Sequence, residues 1–228
     1  MINESGKSVS ETELQRQIIE AGACLAEWGL IVAAEGNISA RVNADRILIT
    51  PGGAWKDRLT MADLITVGAL GKPLTPTEGH PSSEIGMHLC VYQRRPDIMA
   101  CVHAHPPYAV ACSVAGISLA EPVLPEIVAV VGTIAIAEYA TPSTPEIAAS
   151  IVPLVDDHDA IILSNHGVLC IGETLKSALG RMALVEHLAQ VVFLASQLGS
   201  IRHLTPAQVA SVRRIAGRPP SRPTKEKS

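Results

Sequence analysis

Two histidines stand two positions apart in the segment MACVHAHPPY, residues 99–108 of this 228-residue chain. The apolar run before them ends at Pro106 and Pro107 and predicts a buried strand, in which alternate side chains point to one face. His103 and His105 would then lie side by side, about 6.5–7 Å apart. Imidazoles so placed can share one tetrahedral zinc ion, whose Zn–N bonds are about 2.0–2.1 Å long. Because H-x-H is a short motif, two ordinary core or surface histidines explain it equally well.

A third histidine and a carboxylate could complete such a metal site. His166 falls in the turn 165–167 between two apolar segments, where a side chain is presented rather than buried. Glu84 follows two serines at the predicted start of a helix. Three imidazoles and a displaceable carboxylate form a coherent zinc set. Each residue also has an ordinary explanation, since His166 suits a turn and Glu84 complements the helix dipole. Loop or helix-surface positions explain the histidines for which we expect no catalytic role, namely His80, His88 and His187.

Three turns could together bind an anion. Their sequences are EGN at 35–37, TPGG at 50–53 and PSSE at 81–84. Small and hydroxyl residues in such turns leave backbone N–H groups and serine side chains free to surround a phosphate, and the third turn also begins a helix. Any one of these turns is ordinary turn chemistry. The three together favour a phosphorylated ligand.

The elements that must position these residues alternate between helices and strands. Helical apolar spacing is found over 12–28, from 85 to before Pro96, over 106–116, 143–155 and about 174–198. Strand patterns are found at 37–42 and 46–50, which form a hairpin, at 98–105, in two pieces separated by Gly132 within 126–140, and in a pair over 160–172. This alternation predicts an α/β fold, a sheet with helices on its faces.

Composition limits the class of protein. A chain with 47% hydrophobic and 18% charged residues can form one substantial core, so we expect a single domain over 1–228, ordered over about 11–200, with a mobile tail at 214–228. The net charge of −4, with no basic stripe, argues against a nucleic-acid partner. Five widely spaced cysteines do not form a disulfide framework, which suits a reducing cytoplasm. A polar N-terminus and the lack of an 18-residue apolar run predict a cytoplasmic protein without a membrane span. The positive mean hydropathy of +0.27 weakly favours an oligomer.

Five separated motifs resemble those of the class II aldolase family, in particular its L-fuculose-phosphate aldolase and sugar-phosphate epimerase group. In order along the chain they are AEGNISAR, LITPGG, HPSSEIGMH, VHAHP and SNHGVL. The resemblance covers residues of about 11–200 and implies a central, mostly antiparallel sheet flanked by helices on both sides in three layers. It also implies a homotetramer with active sites at subunit boundaries.

The resemblance assigns roles to residues of this chain. It implies that His103, His105, His166 and Glu84 ligate zinc, and that Glu84 also serves as the catalytic acid and base. The positions that it implies for binding the substrate phosphate are Gly36, Asn37, Gly52, Gly53, Ser82 and Ser83. Zinc suits three imidazoles and a carboxylate, although manganese or cobalt can occupy such a site.

The activity implied is the reversible cleavage of a ketose 1-phosphate to dihydroxyacetone phosphate and an aldehyde, through a metal-stabilised enediolate. One departure bears on the substrate: the family's aldolases have a tyrosine where this chain has Glu126, in LPEIVAVVG. Glu126 is a candidate proton-transfer residue, although an acid at a strand entrance is also unremarkable. A site without the tyrosine suits an apolar aldehyde, as from a 5-deoxy or methylthio pentulose phosphate.

Other activities share this scaffold. A decarboxylase, a dehydratase or an epimerase would use the same metal and carboxylate, so these reactions stay open as alternatives. The family also holds adducin-like domains that bind a protein partner and catalyse nothing. Such a domain is expected to lack some metal ligands, whereas all four positions are filled here, which favours an enzyme.

Overall fold

One seven-stranded sheet organises the computed structural model, which describes residues 9–217. The strands are β1 (Asn37–Asn43), β2 (Arg46–Ile49), β3 (Ile65–Val67), β4 (Ala100–Ala104), β5 (Ile134–Ala137), β6 (Ala160–Leu163) and β7 (Gly167–Gly172). Their order across the sheet is β3-β2-β1-β4-β7-β6-β5. Every neighbouring pair is antiparallel except β5 and β6, which are parallel. The expected mostly antiparallel sheet is confirmed.

Helices cover both faces of this sheet. They are α1 (Glu11–Glu27), α2 (Ile85–Arg94), α3 (Pro107–Val114), α4 (Pro145–Ile151), α5 (Leu175–Leu198) and α6 (Pro206–Ile215). Alternate strand residues point to opposite faces of the sheet and belong to two separate hydrophobic cores. Val102 packs with α1, α3 and α5, whereas Cys101 packs with α2 and α4. The three-layer α/β architecture is therefore confirmed, and the period of two in each strand explains it.

Helix α5 is the longest element of the described chain. By length and composition alone it is apolar enough to cross a bilayer, and it is the one described helix that meets this test. Its buried residues, such as Met182 and Leu188, belong to the core beneath the sheet. A core helix of a globular fold passes the same test, so the finding is weak support for a membrane span.

The segment before Gly132 was expected to be a strand, and this expectation is wrong. Residues Ile127–Val131 form a single π-helical turn, closed by a hydrogen bond of 2.7 Å from the Gly132 N–H to the Ile127 carbonyl. Ile127 and Val131 are buried in the core that contains α5. Packing of this apolar surface outweighs the strand preference of its β-branched residues. Only the second piece, β5, is a strand.

A sixth helix, α6, extends into the segment expected to be a mobile tail. The sequence after α5 continues into α6, where Thr205 and Gln208 form a reciprocal capping box and Pro206 occupies the first turn. Arg214 and Ile215 belong to the last turn of α6, and the mobility of the chain from 214 stays a prediction. Residues 218–228 of that predicted tail lie outside the described residues.

Candidate active site

Three histidines meet at one end of the sheet. His103 lies in β4, His105 directly follows that strand, and His166 lies in the turn between β6 and β7. Because β7 pairs with β4, this turn is brought over the end of β4. The ring centroids are 4.8–4.9 Å apart in all three pairs, and one ligand atom from each residue lies within 4.8 Å of the others. The structure thus brings together the three histidines that the sequence analysis selected.

The close approach depends on Gly167. A Cβ added there would stand 2.5 Å from the Ala104 carbonyl oxygen and 2.8 Å from His105 Cδ2. It would also lie 2.9 Å from His103 Cε1. Side chains do not tolerate such contacts, so the turn after His166 requires a glycine.

Glu84 completes the cluster from the opposite side. It is the N-cap residue of α2 and is 7% exposed. Its Oε2 lies 3.2 Å from His103 Nε2, and its Oε1 lies 3.5 Å from His166 Nε2. Burial acts to raise the pKa of Glu84, but the neighbouring His103, the amide of Asn37 and His166 outweigh it and lower that pKa to about 2. The side chain is therefore a carboxylate at neutral pH.

In two of the imidazoles, those of His103 and His105, Nδ1 has an oxygen partner that fixes the orientation of the ring. His103 Nδ1 donates to the Val168 carbonyl at 3.0 Å, and His105 Nδ1 faces Glu35 Oε1 at 3.4 Å. Burial lowers the pKa of His105, and it lowers the pKa of His166 to about 4, so both rings are neutral near pH 7. With Nδ1 as the protonated nitrogen, the Nε2 lone pairs of His103 and His105 face the centre.

The residues fit a divalent cation. The Nε2 atoms of His103 and His105 are 3.1 Å apart, a distance at which two lone pairs repel unless a proton or a cation lies between them. Within residues 9–217, two buried atoms of the cluster, Glu84 Oε1 and His166 Nδ1, have no hydrogen-bond partner. Imidazole nitrogens and a carboxylate oxygen are donors that zinc prefers. The cluster could therefore hold a metal ion.

The three turns predicted to bind an anion adjoin one another. Thr50 connects them, because its Oγ1 and N–H bond the backbone of Ile38 while its carbonyl accepts from the Ser82 N–H at 3.3 Å. The Gly52 N–H donates to the His80 carbonyl at 2.9 Å. Gly36 and Gly53 both have left-handed backbone, with φ of 69° and 72°. The three turns thus lie against one another next to Glu84.

The residues of these turns differ in their exposure to solvent, and so in whether they could contact a ligand. Gly52, Gly53 and Ser83 are exposed, whereas Asn37 and Ser82 are buried. The Asn37 amide already contacts Glu84 Oε2 at 2.9 Å, so its side chain serves the carboxylate rather than solvent.

Lys56 is almost fully buried beside the anion turns. It is 1% exposed, and its Nζ donates to the carbonyls of Ala34 at 3.0 Å and Ala54 at 2.6 Å. These carbonyls flank the first and second anion turns, so Lys56 ties the two turns together. Burial lowers the pKa of Lys56 to about 8.

His88 was expected on a helix surface, and this placement is wrong. Its side chain is fully buried, and both ring nitrogens have hydrogen-bond partners, Ser39 and Asn37. The spacing of four from Glu84 to His88 is the signal in the sequence that could have placed His88 beside the site. His80 and His187 are exposed, as expected.

Glu126 is exposed at the start of the π-helical turn. That turn packs against α5 and α6. None of the contacts described for residues 9–217 joins Glu126 to the histidine cluster, and its role in proton transfer stays a prediction.

Comparison with known proteins supplies the family. The family model described as "Class II Aldolase and Adducin N-terminal domain" matches residues 16–193. The chain belongs to this family. The resemblance noted from the five motifs is thereby confirmed.

Relatives within the class II aldolase family carry different activities in their names. The 3-oxo-tetronate 4-phosphate decarboxylase of Escherichia coli (strain K12) is 28% identical over 207 residues, which cover 89% of this chain and 96% of the relative. The 5-methylthioribulose-1-phosphate/5-deoxyribulose-1-phosphate aldolase of Rhodospirillum rubrum is 31% identical over 191 residues, 83% of this chain and 84% of the relative. A solved structure of L-fuculose 1-phosphate aldolase superposes with a TM-score of 0.81 at 28% identity, covering 92% of this chain and 99% of that one. All three relatives are named as enzymes.

Proposed function

We propose that this chain is a metal-dependent lyase that breaks a carbon–carbon bond next to the carbonyl group of a small phosphorylated sugar. The observation that carries the proposal is the contact of the Glu84 carboxylate with His103 and His166 at 3.2 and 3.5 Å. An ionised carboxylate beside three converging imidazoles offers both a cation site and a proton acceptor. The first candidate reaction is the reversible cleavage of a ketose 1-phosphate to dihydroxyacetone phosphate and an aldehyde.

The residues that would hold the cation are His103, His105 and His166, with Glu84 as a displaceable fourth ligand. We propose zinc, for which three imidazoles and one carboxylate are suited, with manganese or cobalt as substitutes. When bound, the cation supplies a Lewis acid that withdraws electrons from the substrate carbonyl and stabilises the charge left by bond cleavage.

Glu84 is the residue placed to move a proton. Its Oε2 is held by Asn37, while its Oε1 has no hydrogen bond among the described residues. The pKa of Glu84 is low because His103, Asn37 and His166 favour its charged form. Displacement from the two histidines removes part of that effect and raises its affinity for a proton. In the cleavage of a ketose 1-phosphate, Glu84 would take the proton of the hydroxyl group that becomes the aldehyde and deliver it to the dihydroxyacetone phosphate carbon that keeps the electron pair of the broken bond.

The phosphate of the substrate would bind at the surface formed by the three turns. Gly52, Gly53 and Ser83 are exposed there and adjoin Glu84 through Ser82, whose Oγ accepts from the Glu84 N–H at 3.3 Å. The backbone of Gly36 lies on the other side, under the His103 carbonyl. This arrangement supports a substrate whose phosphate and carbonyl groups are close together.

Decarboxylation of a 3-oxo sugar acid phosphate is the second candidate. It is favoured by the match to the Escherichia coli decarboxylase over 96% of that enzyme's length. Departing carbon dioxide needs no proton donor on its oxygen, and this chain has Glu126 where the family's aldolases have a tyrosine. A cytoplasmic homotetramer with sites at subunit boundaries remains part of the proposal for either reaction.

The test is to assay the zinc-loaded protein with a panel of ketose 1-phosphates and with 3-oxo-tetronate 4-phosphate. Release of dihydroxyacetone phosphate identifies the aldolase, and release of carbon dioxide identifies the decarboxylase. Either activity should vanish in Glu84→Gln and persist in His187→Gln, which changes an exposed histidine of α5. Stoichiometric zinc with no cleavage of any substrate would contradict the proposal, and a protein that never retains a metal would favour the binding-domain alternative.

A further inference from the structure

A row of buried polar side chains leads away from Glu84 between helix α2 and strand β1. Glu84, His88 and Tyr92 stand four residues apart, so they share one face of α2. Asn37 and Ser39 stand two residues apart on β1, opposite His103 and Cys101 of β4, and so face the same helix. The two sets interleave into a continuous chain within the core.

Every link of this chain is a hydrogen bond. Asn37 Nδ2 lies 2.9 Å from Glu84 Oε2, and Asn37 Oδ1 lies 2.5 Å from His88 Nε2. Ser39 Oγ lies 2.7 Å from His88 Nδ1 and 2.8 Å from the Tyr92 hydroxyl. Asn37, Ser39 and His88 are at most 3% exposed.

The carboxylate at one end fixes the direction of all the links. An ionised Glu84 only accepts, so the Asn37 amide nitrogen must donate to it and the Asn37 oxygen must accept from His88 Nε2–H. A neutral His88 then accepts at Nδ1, which requires Ser39 to donate to it. Ser39 has no second proton, so Tyr92 donates to Ser39. All donors therefore point toward Glu84.

A chain of hydrogen bonds with one direction is stronger than its separate links, because each bond polarises the next. Its end is Glu84 Oε2, whereas Oε1 on the other side of the carboxylate faces His166. The chain thus holds Oε2, which also lies 3.2 Å from His103 Nε2, and leaves Oε1 beside His166.

We propose that His88 is a positioning residue, which acts through Asn37 to hold Glu84 in the orientation that places Oε2 beside His103 and directs Oε1 to His166. Among residues 9–217 His88 has no hydrogen bond to the three histidines, and its ring nitrogens bond only Ser39 and Asn37, the last residue of the first anion turn. Its effect on catalysis rests on the proposed function, but its effect on the orientation of Glu84 does not.

The first measurement uses the unchanged protein. Long-range proton–nitrogen NMR correlation of ¹⁵N-histidine-labelled protein reports which ring nitrogen carries the proton, and the His88→Gln variant identifies the His88 signals by their loss. We expect a neutral ring with hydrogen on Nε2 and a bare Nδ1, and slow exchange of that proton with solvent. Hydrogen on Nδ1 would overturn the proposal, because Asn37 could not then be oriented by His88.

The second measurement is zinc affinity, by competition with a chromogenic chelator. His88→Leu removes the donor to Asn37, and we expect the affinity to fall by up to about tenfold, because losing a direct partner of a metal ligand costs about 10–100-fold and His88 acts one bond further away. His88→Gln places an amide N–H near the position of Nε2 and should recover most of this loss. His187→Gln is the matched control and should bind zinc as the unchanged protein does.

A double-mutant cycle separates positioning from general stability. In a Glu84→Gln background, His88→Leu should have little further effect on zinc affinity, because the group that it positions is already altered. An equal loss in both backgrounds would show that His88 acts as a structural core residue, and would overturn the proposal.

Catalysis provides the third comparison. If either lyase activity is present, His88→Leu should lower kcat at nearly unchanged KM. If neither is present, the proposed function fails while the NMR and zinc results still decide the role of His88.

Discussion

Gly36 and His103 lie in direct backbone contact, since a Cβ added to Gly36 would stand 2.7 Å from the His103 carbonyl oxygen. Gly36 also has a left-handed φ of 69°. The first anion turn therefore presses against the strand that carries a metal-ligand candidate. Gly53 has a similar φ of 72°, but no atom lies within 4 Å of a Cβ placed there.

The two glycines allow backbone strain to be separated from crowding. We expect Gly53→Ala to lower the free energy of unfolding by about 1–2 kcal/mol, the cost of a left-handed residue with a side chain. Gly36→Ala carries the same cost plus the clash with His103, so it should be more destabilising and should weaken zinc binding. Urea unfolding and zinc titration of both variants check this, and equal losses of stability would contradict it.

Gly167→Ala should damage the histidine cluster directly. The added methyl group would push on Ala104, His105 and His103 together, and overpacking of this kind costs about 1–3 kcal/mol. We expect at least a tenfold loss of zinc affinity along with lower stability. Gly180→Ala is the control, since Gly180 lies in α5 with open space around its Cβ position. It should stabilise the protein by up to about 1 kcal/mol and leave zinc binding intact.

Metal binding should stabilise the fold. Because the ligands converge only in the folded chain, zinc at 100 times its Kd is expected to add about 2.7 kcal/mol to the free energy of unfolding. Calorimetry with zinc and then with excess chelator measures the rise of Tm and its reversal. His166→Ala should abolish most of the rise, and His187→Ala should not. If zinc did not change the Tm of the unchanged protein, the result would contradict the assignment of the cluster as a metal site.

Lys56 should make stability depend on alkaline pH. Burial lowers its pKa in the folded protein to about 8 from 10.5, so between these values the unfolded chain binds more protons and the free energy of unfolding rises with pH. At about 1.4 kcal/mol per pKa unit, the contribution reaches about 3 kcal/mol near pH 10.5. The difference in stability between the unchanged protein and Lys56→Met should therefore be constant below pH 8 and grow above it. Lys72→Met, at an exposed lysine, should show no such growth.

The order of elements was predictable because local patterns determine it. The hairpin of β1 and β2, the start of α2 after Glu84 and the turn that carries His166 follow from short stretches of sequence. The three histidines and Glu84 were selected by motif, and the folded chain brings them together. The π-helical turn at 127–131 was missed because its apolar residues suit a strand equally well until α5 lies against them.

Residues whose role depends on a distant partner were harder to predict. Lys56 and His88 look like polar surface residues when only their neighbours in sequence are considered. Lys56 is buried because the backbone at Ala34 packs over it, and His88 is buried because β1 packs over α2. Glu35, which faces His105 Nδ1, was missed for the same reason, since nothing local marks the histidine that it meets.

The pairing of β4 with β7 has a kinetic consequence. His166 reaches His103 only when that pair has formed, and the two strands are far apart along the chain. We therefore expect the metal ligands to assemble late in folding, after the backbone closure that joins β4 to β7. A bound ion should therefore stabilise the native state without stabilising the transition state for folding. In a stopped-flow experiment zinc should slow unfolding and leave the refolding rate almost unchanged.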